Sequence, residues 1–316
     1  YNSKDGATSA SQNVYYGLHA LQHRGQESSG IVAFEARNEP TSMEPQPHKI
    51  NTHKGFGLVL DVFGDQSIFE TTLRGHHAIG HNRYSTAGGA SSVHNIQPFT
   101  CSYKHGSLAV AHNGNISNFA ALKQQFVDKG TLFSSTSDTE LILHLIAQSS
   151  KGTMDERVID ALTCLEGAFS LLLLCDDALY AIRDPNGFRP LVIGRIGDAD
   201  TPGGATYCLS SETCAFDLVG AKHVREIEAG EVVKLTLPSC QNGGKFESFK
   251  LPSKFGLSPC VFEFVYFARP DSKIFGSVVD GVRRECGIQL AREAPPPTTT
   301  TSPPAAANSA PAPAAA

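Results

Sequence analysis

The sequence predicts an α+β layered domain over roughly residues 1–240. Short apolar runs of strand length recur through this region, and stretches with helical spacing fall into two groups among them. Turn-forming clusters separate the runs, and Asp184-Pro185-Asn186-Gly187 is a strong example. The chain has 316 residues, of which 41% are hydrophobic and 18% charged, which is typical of a protein with a substantial core.

The individual elements follow from periodicity along the chain. Helical spacing predicts helices at residues 14–21, 118–127 and 140–147 and near 212–219. Apolar runs of strand length predict strands at residues 31–34, 78–81, 108–111, 168–175, 179–183, 191–195, 205–209 and 230–237. In the first helix, Tyr15, Leu18 and Leu21 share one face.

Composition excludes several classes of protein. The net charge is −5 and no Lys/Arg-rich run is present, so the sequence has no electrostatic footprint for nucleic acid. The longest apolar run, at residues 171–175, is far shorter than the roughly 20 residues of a membrane span. The eight cysteines form no C-x-x-C pair, and the start of the chain lacks an apolar signal region. We therefore expect a cytoplasmic protein that binds neither nucleic acid nor membrane.

The two ends of the chain differ from its middle. Because the chain begins at Tyr1 and not at Met, we expect it to be processed or incomplete. Residues 294–316 are almost entirely Pro, Thr and Ala and carry no charge, so we expect a low-complexity disordered tail foreign to the fold. Residues 287–293, just before it, are typical of an amphipathic helix.

Three short polar stretches adjoin apolar elements, at residues 80–86, 112–115 and 136–140. Together they supply a cation, two amide-type donors and a carboxylate. These groups are what is needed to bind both charged ends of an amino acid and to stabilise an oxyanion at its side-chain carbonyl. None of the three stretches supplies a nucleophile.

Each candidate residue also has a simpler structural interpretation. Arg83 can form an ordinary salt bridge, or its guanidinium can fork onto a carboxylate with two parallel hydrogen bonds. Asn113-Gly114 is a common turn signal, but it can also aim two N–H donors at an oxyanion. Ser137 or Asp138 can cap the helix that follows, and Asp138 can instead accept hydrogen bonds from a substrate ammonium.

Residues 21–31, Leu-Gln-His-Arg-Gly-Gln-Glu-Ser-Ser-Gly-Ile, together with the three polar stretches resemble the class II glutamine amidotransferases. The resemblance implies a four-layer αββα glutaminase domain with the N-terminal-nucleophile fold. That family includes glucosamine-6-phosphate synthase, glutamate synthase and asparagine synthetase. The glutaminase signature alone therefore does not identify the acceptor of the ammonia.

A later segment narrows the acceptor. Residues 260–272, Cys-Val-Phe-Glu-Phe-Val-Tyr-Phe-Ala-Arg-Pro-Asp-Ser, resemble the join between the two domains of the amidophosphoribosyltransferase family, and residues 183–191 and 210–212 fit the same family. The resemblance implies the first committed step of purine synthesis. Glutamine, phosphoribosyl pyrophosphate and water give 5-phosphoribosylamine, glutamate and pyrophosphate.

The same resemblance, which runs from about Ala10 to Glu293, implies a domain organisation. Residues 1–240 would be the glutaminase domain. Residues 241–293 would be a linker and the start of an α/β phosphoribosyltransferase domain. A homo-oligomer is also implied.

The resemblance assigns roles to the residues of the polar stretches. Arg83, helped by Thr86, would bind the α-carboxylate of glutamine, and Asp138 would bind its ammonium group. Asn113 and Gly114 would form the oxyanion hole for the tetrahedral intermediate.

The catalytic base of the family is not a histidine. It is the α-amino group of an N-terminal cysteine, which activates the thiol of the same residue. We therefore expect structural roles for His81 and His112, and a structural or supporting role for Arg24. The printed chain has Tyr1 at its start and no cysteine before Cys101, so we expect it not to hydrolyse glutamine as it stands. Loss of a few residues explains this more simply than a catalytically dead paralogue.

The resemblance also bears on cofactors. Mg²⁺ would belong to the full-length enzyme, where it binds through pyrophosphate and carboxylates of the second domain. Some members carry a [4Fe–4S] cluster, for which Cys260 is a weak ligand candidate, because such a cluster requires four cysteines. Two alternatives remain open at this point. One is a non-catalytic glutamine-binding module, and the other is a class II enzyme such as glucosamine-6-phosphate synthase.

Overall fold

The computed structural model describes residues 9–35, 48–84, 92–176, 178–197, 205–236, 246–253 and 256–296. Its helices are α1 (Ala10–Ala20), α2 (Val59–Val62), α3 (Ile68–Thr71), α4 (Phe119–Asp128), α5 (Thr139–Gln148), α6 (Met154–Thr163), α7 (Cys214–Val219) and α8 (Val279–Glu293). Its strands are β1 (Ser28–Glu35), β2 (Lys49–Phe56), β3 (His77–Arg83), β4 (Phe99–Tyr103), β5 (Gly106–Ile116), β6 (Gly167–Cys175), β7 (Leu179–Arg183), β8 (Val192–Ile196), β9 (Thr206–Ser210), β10 (Lys222–Glu226), β11 (Glu231–Leu235), β12 (Glu247–Lys250), β13 (Lys273–Ile274) and β14 (Ser277–Val278).

The central sheet has six strands in the order β12-β11-β7-β6-β5-β4, and every neighbouring pair is antiparallel. Leu171 and Leu173 of β6 pack in one cluster with helices α5 and α6. Leu174 of the same strand packs against the second layer of strands. Both faces of the central sheet are therefore buried, and this explains why β6 is a continuous apolar run without alternation.

The second layer contains two three-stranded sheets, β2-β1-β3 and β10-β8-β9. Val32 and Phe34 of β1 pack against Ala109 and Ala111 of β5 in the central sheet. Ile31 points to the opposite face of β1, where side chains of α1, α2 and α3 cover it. The period of two along β1 thus places one set of side chains between the sheets and the other beneath helices.

The second three-stranded sheet packs in the same way. Ile193 of β8 lies in a cluster with Ala181 and Val233 of the central sheet, and Gly194 lies against the ring of Phe216 on α7. Helices α4, α5 and α6 contribute to the core on the other face of the central sheet. The layers follow in the order helix, strand, strand, helix. The expected four-layer αββα arrangement of an α+β fold is confirmed.

Most predicted elements are present, often with wider bounds. Helix α1 begins at Ala10, because Ser9 caps it: Ser9 Oγ accepts from Gln12 N at 3.2 Å, and Gln12 Oε1 accepts from Ser9 N at 2.9 Å. Periodicity does not predict helix α6, although a capping box of Thr153 and Glu156 marks its start. Strands β2, β10 and β12 are also unpredicted, because exposed edge strands carry few apolar residues.

The structure decides between two pairs of alternatives that the sequence leaves open. Asn113-Gly114 does not form a turn, because β5 continues through it to Ile116 and stays paired with β6 as far as Gly167. Asp138 does not cap helix α5 with its side chain. Its carboxylate is directed to strand β5, and Ser137 Oγ accepts from Thr139 N at 3.3 Å in its place.

Residues 256–293 are called the C-terminal segment below. The segment contains a π-helical turn at Glu263–Phe267, the β13-β14 hairpin and helix α8. The helix expected at 287–293 is confirmed as the end of α8, in which only Val279 is buried. The predicted domain boundary at residue 240 and most of the predicted tail, residues 297–316, lie outside the described residues.

Candidate active site

A cavity of about 560 Å³ lies between strands β3 and β9, and residues of helices α1 and α7 also line it. Strand β3 pairs with β1 and strand β9 pairs with β8, so within the described ranges each strand ends its sheet. Much of the lining is apolar, but Asn113 of β5 and Ser210 and Ser211 of β9 and its end add polar groups. The cavity is therefore flanked by two strand edges and reached by polar groups at the edge of β5.

The backbone N–H of Gly114 in β5 points away from β6. Ser117 N donates to Glu166 O at 2.8 Å, so odd-numbered residues here direct their N–H groups toward β6. Even-numbered residues direct theirs to the other edge. There His112 N donates to Gln97 Oε1 at 2.7 Å, and Ile116 N donates to Asp138 Oδ2 at 2.9 Å. Gly114 lies between these two, and its N–H points to the same edge.

Gly114 is required at this position by both conformation and space. Its φ is +154°, a value that residues with a side chain rarely adopt. A Cβ placed on Gly114 would collide with the carbonyl oxygen of Ala168 and would lie 2.9 Å from His112 Nε2. The close approach of β6 therefore explains why residue 114 is a glycine. The Asn-Gly pair does not mark a turn here.

The Asn113 side chain is held at both ends of its amide. Its Oδ1 accepts a hydrogen bond from Arg189 Nη2 at 3.2 Å, and its Nδ2 lies 3.4 Å from Ser211 Oγ. Because a guanidinium can only donate, Arg189 specifies which end of the amide is oxygen. The Asn113 N–H₂ group is thereby directed toward the polar end of the cavity.

Asp138 stands beside the same stretch of β5. Its Oδ1 lies 3.6 Å from His112 Nδ1 and also accepts from Thr139 Oγ1 at 3.4 Å. Burial acts to raise the pKa of Asp138, but the nearby His112 ring and the hydrogen bond from the Ile116 N–H outweigh it and hold the pKa below its ordinary value of 3.8. The carboxylate is therefore ionised at neutral pH and able to bind a cation.

Arg83 ends strand β3, and its side chain is 18% exposed. Its Nη1 lies 3.8 Å from Glu27 Oε1 and makes no hydrogen bond to the described residues. The chain at Gly25, just before β1, lies close to the backbone of Arg83. Only glycine allows this approach, since a Cβ on residue 25 would lie 2.6 Å from the carbonyl carbon of Arg83. A nearly buried guanidinium with donors to spare is well suited to bind a carboxylate.

Two histidines connect the strands that carry these groups. His81 Nε2 donates to the carbonyl oxygen of His112 at 3.0 Å, which ties β3 to β5 two residues before Arg83 and one residue before Asn113. Burial, together with repulsion from His112, lowers the pKa of His81 to about 4, so His81 is neutral at pH 7. The side chain of His81 and the backbone carbonyl of His112 thus connect the two strands.

The structure brings Arg83, Asn113, Gly114 and Asp138 to neighbouring positions along β3, β5 and the start of α5. Thr86, the fifth predicted site residue, lies outside the described residues. Glu140 of the third polar stretch is used differently. Its carboxylate accepts from the backbone and hydroxyl groups of Ser134 and Ser135 at 2.6–2.8 Å and so fixes the loop before α5.

Three residues near the site are not predicted from the sequence as contributors. Gln97 contacts both the N–H and the carbonyl of His112, Arg189 holds the Asn113 amide, and Glu27 faces Arg83. Arg189 lies in residues 183–191, which resemble the amidophosphoribosyltransferase family, and this was the available signal. Glu27 likewise lies in residues 21–31, which resemble the class II glutamine amidotransferases, whereas Gln97 is linked to the site only through the fold.

The described residues do not fit either implied metal cofactor. They contain no group of three or more His, Cys, Asp and Glu side chains that could hold a metal ion. Cys260 is half-buried and its thiol is free, so the four-cysteine ligation of a [4Fe–4S] cluster is not present around it in the described part of the chain. None of the helices in the described ranges has the length and apolar character that crossing a membrane requires.

Comparison with known proteins shows which proteins this chain is similar to. The family model for the glutamine amidotransferase domain matches residues 81–217. An amidophosphoribosyltransferase of Bacillus subtilis (strain 168) is 42% identical over 290 residues, covering 92% of this chain and 55% of that protein. Chloroplastic amidophosphoribosyltransferase 3 of Arabidopsis thaliana is 45% identical over 290 residues, covering 92% of this chain and 50% of that protein. Over 92% of its length the chain is therefore similar to amidophosphoribosyltransferases.

Solved structures agree with this similarity. The glutamine phosphoribosylpyrophosphate amidotransferase from B. subtilis, complexed with ADP and GMP, matches with a TM-score of 0.79 and 39% identity, covering 92% of this chain and 58% of that one. A structure described as the allosteric regulatory enzyme of purine biosynthesis matches with a TM-score of 0.78 and 41% identity, covering 90% of this chain and 55% of that one. The chain spans about half the length of the curated amidophosphoribosyltransferases it matches.

Proposed function

We propose that this chain carries the glutamine-hydrolysing site of an amidophosphoribosyltransferase. In the whole protein, glutamine would be hydrolysed to glutamate and ammonia. The ammonia would then displace pyrophosphate from phosphoribosyl pyrophosphate to give 5-phosphoribosylamine. The observation that carries the proposal is the arrangement around β5. The ionised Asp138 carboxylate and the two N–H donors lie on or beside this strand, and β3, which ends at Arg83, is tied to it by His81.

Each group has one role in this proposal. The guanidinium of Arg83, with Thr86, binds the α-carboxylate of glutamine, and the Asp138 carboxylate binds its ammonium group. The side-chain N–H₂ of Asn113 and the backbone N–H of Gly114 stabilise the oxyanion that forms at the side-chain carbonyl of glutamine. Because both donors are held by the protein before substrate binds, little reorganisation accompanies the reaction.

The cavity between β3 and β9 supplies a place for the nucleophile of the family. Both flanking strand edges can form hydrogen bonds with one further extended strand, and the apolar lining suits a strand buried on both faces. We propose that the strand bearing the N-terminal cysteine occupies this cavity. Its thiol would then face Asn113, and its own α-amino group would act as the base.

The remaining features of the whole protein are proposed from the family. Apolar side chains that are exposed on the C-terminal segment suit contact with further protein, as expected at the start of a phosphoribosyltransferase domain; they are Leu257, Val261, Phe262, Val265, Tyr266, Val278, Ile288 and Leu290. Mg²⁺ would bind with phosphoribosyl pyrophosphate in that domain. A homo-oligomer in the cytoplasm is proposed on the same basis, although some relatives are chloroplastic.

Replacement of Arg83 tests the proposed function. In the full-length protein, Arg83→Ala should remove detectable glutamine binding, because the guanidinium is the proposed partner of the α-carboxylate. Synthesis of phosphoribosylamine from free ammonia should continue at its normal rate. Arg74→Ala is the matched control, since Arg74 is 63% exposed and lies 3.4 Å from Glu35 at the surface.

Steady-state rates with glutamine and with ammonia separate the outcomes. Loss of only the glutamine-dependent rate supports the role of Arg83. Equal loss of both rates would show that Arg83 is structural. Glutamine binding without any hydrolysis in the unmodified protein would favour a non-catalytic binding module.

A further inference from the structure

A buried charge cluster joins the C-terminal segment to the layered domain. It consists of Arg24, Arg189, Glu212 and Glu263, and the side chains of both glutamates are completely buried. Arg24 Nη1 lies 2.5 Å from Glu212 Oε1, and its two terminal nitrogens each lie 2.8 Å from an oxygen of Glu263. Arg189 Nη2 lies 3.0 Å from Glu263 Oε1. Two cations and two anions therefore balance in the interior.

Glu263 is the contribution of the C-terminal segment to this cluster. It begins the π-helical turn, whose Phe267 ring lies 5.9 Å from the Arg24 guanidinium and 5.1 Å from that of Arg189. Two backbone hydrogen bonds anchor the chain just before the turn: Ser258 N donates to Asn186 O at 2.8 Å and Cys260 N donates to Phe188 O at 3.1 Å. The position of Glu263 therefore depends on docking of the segment.

Arg189 connects this cluster to the proposed oxyanion hole. The same Nη2 atom that lies 3.0 Å from Glu263 Oε1 donates to Asn113 Oδ1 at 3.2 Å. Without Glu263, Arg189 would have no carboxylate in the cluster and would remain near the like charge of Arg24. The guanidinium would then no longer be held beside Asn113. Without this donor, the Asn113 amide could rotate and direct its oxygen toward the substrate.

We propose that Glu263, acting through Arg189, positions the Asn113 amide, so that docking of the C-terminal segment switches the oxyanion donor on. Glu263 and Arg189 are positioning residues, since neither is placed against the substrate. This inference rests on the proposed function of Asn113. It links glutamine hydrolysis to the state of the chain that follows the glutaminase domain, which is the part expected to consume the ammonia.

Glu263→Gln in the full-length protein tests the proposal. The glutamine keeps the size of the side chain but removes the charge that holds Arg189. We expect kcat for glutamine hydrolysis to fall at least about tenfold, but by less than the roughly 10²- to 10³-fold that loss of an oxyanion donor causes. KM for glutamine should be unchanged, because Arg83 and Asp138 are untouched. The control is Asp280→Asn, a matched change on the exposed face of α8 in the same segment.

A second variant covers the case in which Glu263→Gln disturbs folding. Arg189→Lys keeps the charge balance of the cluster, but a rotatable ammonium does not hold the amide as a planar guanidinium does. The same loss of kcat with unchanged KM is expected. The rate with ammonia reports whether either variant is folded, and it should stay normal. A rise in KM at constant kcat, or an unchanged kcat in a folded variant, would overturn the proposal.

A double-mutant cycle separates this inference from the proposed function. In an Asn113→Ala background, Glu263→Gln should lower kcat no further, because its effect passes through Asn113. If the two effects multiply independently, the positioning role is wrong while the oxyanion role of Asn113 stands. If Asn113→Ala alone leaves glutamine hydrolysis unchanged, the proposed function itself is wrong.

Discussion

The proposed chemistry of the site can be tested most directly at Asn113. Its amide oxygen is held by a cation and its amide nitrogen faces the polar end of a cavity, so the two ends are not interchangeable. A neutral side chain held in this way can donate to a developing negative charge without itself moving. In the proposed site, the backbone N–H of Gly114 would provide the second donor.

Replacement of Asn113 should lower the rate of glutamine hydrolysis strongly and change the stability of the fold little. Asn113→Ala in the full-length protein should raise the activation free energy of glutamine hydrolysis by roughly 2.7–4 kcal/mol, as for other single oxyanion donors. The value of kcat should fall accordingly. Asn115→Ala, an exposed asparagine in the same motif, is the control and should change the rate little. Rates measured at saturating glutamine decide the matter, and equal rates for the two variants would remove Asn113 from the site.

Part of this site could be predicted from residue types alone. Arg83, Asn113, Gly114 and Asp138 were identified by their chemistry and by resemblance, and the structure places them along neighbouring strands. The partners that orient them could not be predicted. Arg189 is far from Asn113 in sequence, and an arginine after a turn has no pattern that points to a particular amide.

At the scale of elements, strand β5 shows why local signals mislead. Asn-Gly usually indicates a turn because both residues tolerate positive φ. Here the glycine serves the close approach of β6, and pairing continues to Ile116. Short-range propensity cannot foresee a partner strand more than fifty residues later, and this long-range pairing determines the conformation. By contrast, β6 was predictable because its apolar run is long and buried on both faces.

The C-terminal segment is attached through Glu212 as well as Glu263. Glu212 Oε2 accepts from Arg269 N at 2.9 Å and from Ser272 Oγ at 2.7 Å. Burial acts to raise the pKa of Glu212, but the hydrogen bond from His23 and the charge of Arg24 outweigh it and lower the pKa to about 2. The ionised form is therefore the one that holds the segment against the domain.

This lowered pKa makes a prediction about stability and pH. Because the folded pKa is about 2 and the ordinary value is 4.5, ionised Glu212 stabilises the fold above pH 4.5, and this contribution is lost as the pH falls toward 2. Glu212→Gln should therefore reduce the free energy of unfolding by about 3–5 kcal/mol at pH 7, and by progressively less below pH 4.5. Urea unfolding at pH 7, 5 and 3.5 measures the difference.

The control for this experiment is a surface carboxylate. Glu228→Gln removes a pair with Lys250 in which both side chains are mostly exposed, so it should change stability by no more than about 1 kcal/mol at any pH. A Glu212→Gln effect that is the same at pH 7 and pH 3.5 would contradict the lowered pKa.

At the scale of the whole molecule, the layered arrangement explains how the site is assembled. The second layer consists of two three-stranded sheets with a cavity between their facing strands, and the central sheet passes behind both. The α+β class was predictable from the order of apolar runs. The split of the second layer was not, because no pattern within a strand records which edge it leaves unpaired.

The C-terminal segment leaves most of its last helix uncovered within the described residues. The C-terminal segment is docked by buried charges, yet helix α8 buries only Val279. The matches to amidophosphoribosyltransferases cover 90% or more of this chain but only about half of each relative.

The most direct measurement is a crystal structure of the full-length protein with glutamate, the product of the proposed hydrolysis. We expect the α-carboxylate of glutamate at hydrogen-bond distance from the Arg83 guanidinium and its ammonium group at Asp138. The side-chain carboxylate should lie against Asn113 Nδ2 and Gly114 N. Glutamate bound elsewhere, or bound here with its side chain directed away from Asn113, would contradict the proposed site.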